Sequence, residues 1–108
     1  MMKEMSPYEM VQQVTSSNAV VVFSSTHCCM STVAKRLLVG LGVGPTVVEL
    51  DHHAAGPAIH AVLYQLSGEQ LPAVFVGGKF LGGVQTLMAS HINGTLIPLL
   101  KQAGALWL

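Results

Sequence analysis

The sequence predicts an α/β chain, a four-stranded mixed sheet with helices on both faces. Three observations lead there. Val20-Val21-Val22-Phe23 is an apolar, mostly β-branched run with no polar alternation, as expected of a strand covered on both faces at the centre of a sheet. A helix-patterned stretch separates it from a second strand-like run, Thr46-Val47-Val48-Glu49-Leu50, so the two should pair in parallel through a right-handed crossover. Farther on, Leu71-Pro72-Ala73-Val74-Phe75-Val76, the turn Gly77-Gly78 and Lys79-Phe80-Leu81 read as a hairpin, which adds antiparallel pairing to the sheet.

The remaining elements follow in order. Ser6-Pro7-Tyr8-Glu9 has the form of a capping box, with Ser6 as N-cap, Pro7 at the first helical position and Glu9 reaching back, so a helix should run from Pro7 to about Ser16. Asn18 breaks it before the first strand. After that strand Val33, Leu37 and Leu41 repeat at i, i+4 and i+8 with Ala34 and Leu38 beside them, predicting one buried helical stripe that ends at Gly40, Gly42 and Gly44. Pro57 to Leu66 is helical and closes at Ser67-Gly68. Gly82-Gly83 bends the chain into a short helix over Gln85 to Ser90. Asn93-Gly94 is a break, and Thr95 should cap a last helix with Pro98 in its first turn, where a missing N–H costs little. The order is α-β-α-β-α-β-β-α-α. With no linker, repeat or low-complexity segment, residues 1–108 should form a single domain with a short tail at 105–108.

Composition narrows the function classes. Of the 108 residues, 51% are hydrophobic and only 9% charged, which excludes a disordered chain, and no apolar run approaches the roughly 18 residues of a membrane span. A soluble protein without a membrane partner is expected. Five Lys plus Arg balance five Asp plus Glu with no basic cluster, so direct binding to nucleic acid has little electrostatic support. The N-terminal Met1-Met2-Lys3-Glu4-Met5 lacks a secretory signal pattern, which points to cytoplasm and nucleus.

Chemistry concentrates at Cys28 and Cys29, the two cysteines of the chain, placed between the first strand and the helix that follows. Adjacent Cα atoms lie about 3.8 Å apart, short of the usual disulfide range, so a structural bridge between them would be strained. A thiol at a strand-to-helix turn meets unpaired N–H groups and the positive end of a helix dipole, which favour the thiolate. That is a setting for a nucleophile.

Phe23-Ser24-Ser25-Thr26-His27-Cys28-Cys29-Met30-Ser31, Leu71-Pro72-Ala73-Val74-Phe75-Val76 and Lys79-Phe80-Leu81-Gly82-Gly83 together resemble the active-site, cis-proline and glycine-turn motifs of the thioredoxin fold in its glutaredoxin form. With Cys-Cys-Met-Ser at the site and a chain ending Ala105-Leu106-Trp107-Leu108, the sequence is most similar to the plant CC-type glutaredoxins. The resemblance covers nearly the whole chain. It implies a glutathione-dependent thiol-disulfide oxidoreductase with Cys28 and Cys29 as its catalytic pair, Cys28 being the nucleophile. Ser31 stands where dithiol members carry a resolving cysteine, so the implied cycle is monothiol. Cys29 reads equally as an inert packed thiol or as a redox partner.

The same resemblance places glutathione against Ser25, Cys28, His60, Leu71, Pro72, Gly83, Val84 and Gln85. Pro72, if cis, would free the Leu71 backbone to pair with the glutathione cysteinyl amide; a plain strand-opening proline is the alternative. Three anchoring positions depart from the family pattern: Ser25 replaces a usual Lys, His60 a frequent Gln and Gln85 an Asp. Losing a cation beside both thiolate and ligand should weaken binding and raise the thiol pKa. His52, His53, His60 and His91 match no zinc spacing. Monothiol glutaredoxins can hold a [2Fe-2S] cluster between two subunits; the resemblance permits this through Cys28 without demanding it, so the expected state is a monomer or a cluster-bridged dimer. The tail Ala105, Leu106, Trp107 and Leu108 either packs back on the domain or docks in a partner; the CC-type resemblance implies TGA-type basic leucine-zipper transcription factors, with Trp107 as anchor. A catalytically weak adaptor for such factors is the alternative function.

Overall fold

In a computed structural model, which describes residues 6–26, 29–67 and 71–105, the expected order of helices and strands is the observed one, with a short 3-10 turn added. The elements are α1 (Pro7–Ser17), β1 (Val20–Ser24), α2 (Cys29–Gly40), β2 (Thr46–Glu49), the 3-10 turn Leu50–His52, α3 (Gly56–Ser67), β3 (Ala73–Val76), β4 (Lys79–Gly82), α4 (Val84–Ile92) and α5 (Leu96–Gln102). The sheet has the order β2-β1-β3-β4. β1 runs parallel to β2, with Val21 opposite Thr46, and antiparallel to β3, with Val20 opposite Val76. β3 and β4 form the antiparallel hairpin.

The period-two geometry of a strand sends alternate residues of β1 into different cores. Val20 and Val22 join Val74 and Val76 beneath α2, α4 and α5, where Ala34, Leu38, Leu87, Leu96 and Leu100 are buried. Val21 and Phe23 join Ala73 and Phe75 beneath α1 and α3, with Val11, Ile59 and Leu63. Phe75 links the second core together: its ring meets Phe23 edge-on at 5.6 Å and Phe80 at 5.3 Å. Every residue of β1 is buried, as its uninterrupted apolar run requires.

Three local expectations are corrected. The buried face of α2 is Ser31, Ala34 and Leu38, while Leu37 and Leu41 pack at its margin and Val33 is 39% exposed. The helix is thus turned by about one residue, roughly 100° for 3.6 residues per turn, from the Val33 stripe. Ala34, having only a methyl group, lets the helix backbone approach the sheet and takes the position that bulk alone would give to Val33. At α5 the first-turn proline is as expected, but Thr95 makes no side-chain cap and has helical backbone angles. Asn93 organises that turn instead, its Oδ1 accepting from the Thr95 amide at 3.1 Å and from the Thr95 hydroxyl at 2.7 Å. At α1 Ser6 Oγ does accept from the Glu9 amide at 3.2 Å, yet the Glu9 carboxylate meets the Ser6 hydroxyl at 3.3 Å.

One ion pair ties the sheet to α2. Lys35 Nζ and the Ser24 hydroxyl both donate to Glu49 Oε1, each at 2.8 Å. Burial pushes the Glu49 carboxyl up, but the Lys35 and Ser24 bonds and the Lys35 charge outweigh it and hold the pKa below its ordinary value. Because the folded-state pKa is the lower one, this stabilisation is present above the ordinary carboxylate range and is lost as pH falls through the folded value. Glu49→Gln should therefore cost about 1 kcal/mol near neutral pH. In urea titrations the gap from the unsubstituted protein should close in acid; a gap of constant size would show that the charge on Glu49 is not what stabilises.

Gly82 has φ +145°, and a Cβ there would lie 2.6 Å from the Thr86 side chain. Gly82→Ala should lower stability by more than about 1 kcal/mol. An unchanged denaturation midpoint would mean that Thr86 and the backbone both relax freely.

Candidate functional site

The sheet order brings four chain segments to one end. β1 and β2 are parallel and both leave there, with Ser24 opposite Glu49; antiparallel β3 enters there, with Ala73 opposite Phe23, and β4 leaves there, with Gly82 opposite Val74. Strand ends of this kind frame ligand crevices in open α/β sheets. The loop after β1 carries Ser25 and Thr26 toward α2, whose first residue is Cys29. The Leu71-Pro72 peptide bond is cis, as the family resemblance implied.

A cavity of about 470 Å³ lies at this end, lined by Ser25, Asp51, His53, His60 and Leu71 with Leu50, Gly56 and Pro57. Three of the positions assigned to glutathione, Ser25, His60 and Leu71, are thus brought together. Pro72 is buried beside them. Gly83, Val84 and Gln85 stand apart from this lining, where β4 passes into α4. There Gly83 is the N-cap without a side-chain bond, Val84 is half-buried and Gln85 is exposed. They leave the sheet at the same end, because Gly82 pairs with Val74, two residues beyond Pro72.

Cys28 lies outside the described residues, as do Leu106, Trp107 and Leu108. Cys29 is a free, exposed cysteine at the start of α2. Ser31 is fully buried, and among the described residues its hydroxyl has no hydrogen-bond partner. A hydroxyl lacks the sulfur needed to resolve a mixed disulfide. Ala105 does not hang free: its amide donates to Leu100 O at 2.9 Å and its side chain packs against the core under α5. Among the described residues no group of three or more His, Cys, Asp or Glu is placed to hold a metal ion, and no helix is long and apolar enough to cross a membrane.

Asp51 was not singled out by the sequence, yet it organises the approach to the cysteines. Its Oδ1 accepts from the Thr26 amide at 3.1 Å and its Oδ2 from the Thr26 hydroxyl. The Thr26 hydroxyl bond, opposed by partial burial and aided by the Thr26 amide, holds the Asp51 carboxyl below its ordinary pKa. Asp51 is the second residue after β2, so its place at the mouth of the crevice was legible from topology alone. Gly56 was also missed. A Cβ there would sit 1.8 Å from Leu50 O, so α3 begins in direct backbone contact with the 3-10 turn.

A glutaredoxin family model matches residues 20–81. Glutaredoxin-C9 of Oryza sativa subsp. japonica is 63% identical over 107 residues, covering 96% of this chain; the chain spans 56% of that protein's length. Monothiol glutaredoxin-S7 of Arabidopsis thaliana is 46% identical over 101 residues, covering 93% of this chain and 99% of its own. Among solved structures, a buckwheat glutaredoxin–glutathione complex superposes with a TM-score of 0.87 at 37% identity, over 97% of this chain and 100% of that one. With motif, topology and relatives in agreement, the chain belongs to the glutaredoxin family, in the CC-type branch found in plants.

Proposed function

We propose that this chain is a glutathione-dependent thiol-disulfide oxidoreductase that works by a monothiol cycle through Cys28, in cytoplasm and nucleus. One observation supports this most: a single cavity at the strand ends collects Ser25, His60 and Leu71, three positions where the family resemblance places glutathione. The buckwheat relative of the same fold is a glutathione complex. In the proposed cycle the Cys28 thiolate attacks the glutathione sulfur of a mixed disulfide, forming Cys28–S–S–glutathione and expelling the target thiolate, which takes up a proton. A second glutathione thiolate then attacks the glutathione sulfur on Cys28, releasing glutathione disulfide and restoring the Cys28 thiolate. The sum consumes one free glutathione: its thiol is oxidised into glutathione disulfide as the target is released as a thiol, and the number of disulfides is unchanged. Ser31 has no thiol to shorten this route.

Ser25 and Gln85 leave the groove without the Lys and Asp that the family pattern would supply, so turnover should be slow. Cys28 is also the residue of this chain that would ligate a [2Fe-2S] cluster bridging two copies, with glutathione supplying the remaining sulfurs.

A second reading, an adaptor for TGA-type basic leucine-zipper factors, draws on the terminal Leu106-Trp107-Leu108, apolar residues that follow the last helix. Because Ala105 packs against the core, the partner-binding part of the tail is best taken as 106–108.

Cys28→Ser should abolish reduction of a glutathione mixed disulfide, while Cys29→Ser retains most of it. Equal loss in both variants, measured as initial rates, would replace the monothiol cycle with one using the vicinal pair. Removing residues 106–108 should abolish binding to a TGA-type factor without lowering the melting temperature or the thiol chemistry. Retained binding would sink the adaptor reading, and a lower melting temperature would assign the tail to the core.

A further inference from the structure

The end of β2 holds both flanks of the segment that carries Cys28. On the helix flank, Lys35 of α2 donates to Glu49, the last residue of β2, at 2.8 Å. On the strand flank, Thr26 gives both of its donors to Asp51, two residues beyond Glu49: the amide to Oδ1 at 3.1 Å and the hydroxyl to Oδ2. Thr26 stands two residues before Cys28 and belongs to neither β1 nor α2, so neither the strand ladder nor the helix fixes its place. It is also exposed, a setting in which a lone hydrogen bond trades readily with water. Two bonds from one residue to the two oxygens of one carboxylate fix orientation as well as position.

Asp51 has a second conceivable use. It borders the groove with Ser25, His60 and Leu71, where its charge would oppose a ligand carrying carboxylates. The two uses have different consequences. A charge in the groove acts on ligand affinity and is indifferent to the Thr26 hydroxyl. A clasp acts on the placement of the chain entering Cys28 and is weakened by loss of either partner.

We propose that Asp51 is a positioning residue for thiol exchange: through Thr26 it sets where the segment entering Cys28 lies, and thereby speeds attack on a disulfide already seated in the groove. The inference rests on reading the groove as the glutathione site and Cys28 as the nucleophile, and adds a residue that acts on the chemical step. Asp51 takes no part in the bond changes. The Cys28 thiolate forms a disulfide with the glutathione sulfur, the old disulfide breaks, and the target thiolate leaves and takes up a proton. The effect of the clasp is geometric, because a misplacement of about 1 Å can cost on the order of a hundredfold in rate. Thr26→Ser keeps both donors, whereas Thr26→Val keeps only the amide.

The test is stopped-flow measurement of glutathione transfer from a glutathionylated peptide to Cys28 in the full chain, with calorimetric titration by S-methylglutathione and thermal melting alongside. Thr26→Val should slow transfer about tenfold, and Asp51→Ala, which loses both bonds, by about tenfold to a hundredfold. Thr26→Ser should transfer as fast as the unsubstituted protein. Added to Asp51→Ala, Thr26→Val should cost nothing further, since its hydroxyl has already lost its acceptor. Affinity for S-methylglutathione, which has no thiol, should be unchanged in Thr26→Val. Because Thr26 is exposed, that variant decides the matter even where Asp51→Ala does not fold. Full-speed transfer in Thr26→Val, a Thr26→Ser as slow as Thr26→Val, single losses that multiply in the double variant, or a loss of affinity that matches the loss of rate would each overturn the proposal and leave the glutathione site standing. Failure of the unsubstituted protein to take glutathione from the peptide would overturn both.

Discussion

β1 has no face turned to solvent, and the rest of the structure is arranged around that. A strand that is apolar on both sides must be covered on both, so Val20 and Val22 demand one set of helices and Val21 and Phe23 another. The same strand hydrogen-bonds to β2 on one edge and β3 on the other, which fixes it at the centre of the sheet. Its exit at Ser24 is consequently held on all sides. The segment that leads to the cysteines starts from a fully buried residue, Ser24, whose hydroxyl joins Lys35 on Glu49.

How much of this was legible in the sequence depends on how local the cause is. The strands and the hairpin turn are written in short runs, so β1, β2 and the Gly77-Gly78 turn emerge where expected. The Ser6 cap is equally local. The rotation of α2 was not legible, because Val33 and Ala34 are both apolar and only the packing of α2 with α4 against the sheet decides which one faces inward. Thr95 was misread for a related reason: Asn93 competes for the same turn, and composition does not say which side chain the backbone will accept.

The candidate site divides in the same way. Cys28, Ser25, His60 and Leu71 were named because motifs mark them, and the cavity gathers the last three. Asp51 and Gly56 belong to no motif. Asp51 matters because parallel pairing of β1 and β2 brings the residues following each strand side by side, a relation across 25 positions of sequence. That clasp anchors Thr26 on a neighbouring strand end.

The contact between Gly56 and Leu50 O has a bearing on how such a groove can diversify. One wall is set by backbone against backbone, at a separation too small for any side chain. Its position cannot be adjusted by substitution there without moving α3 as a whole. Variation in what the groove accepts is left to the residues that line it from other directions, Ser25 from the loop and His60 from the exposed side of the helix. These two positions can exchange charge for neutrality while the scaffold keeps its dimensions, so ligand preference and fold can evolve as separate traits.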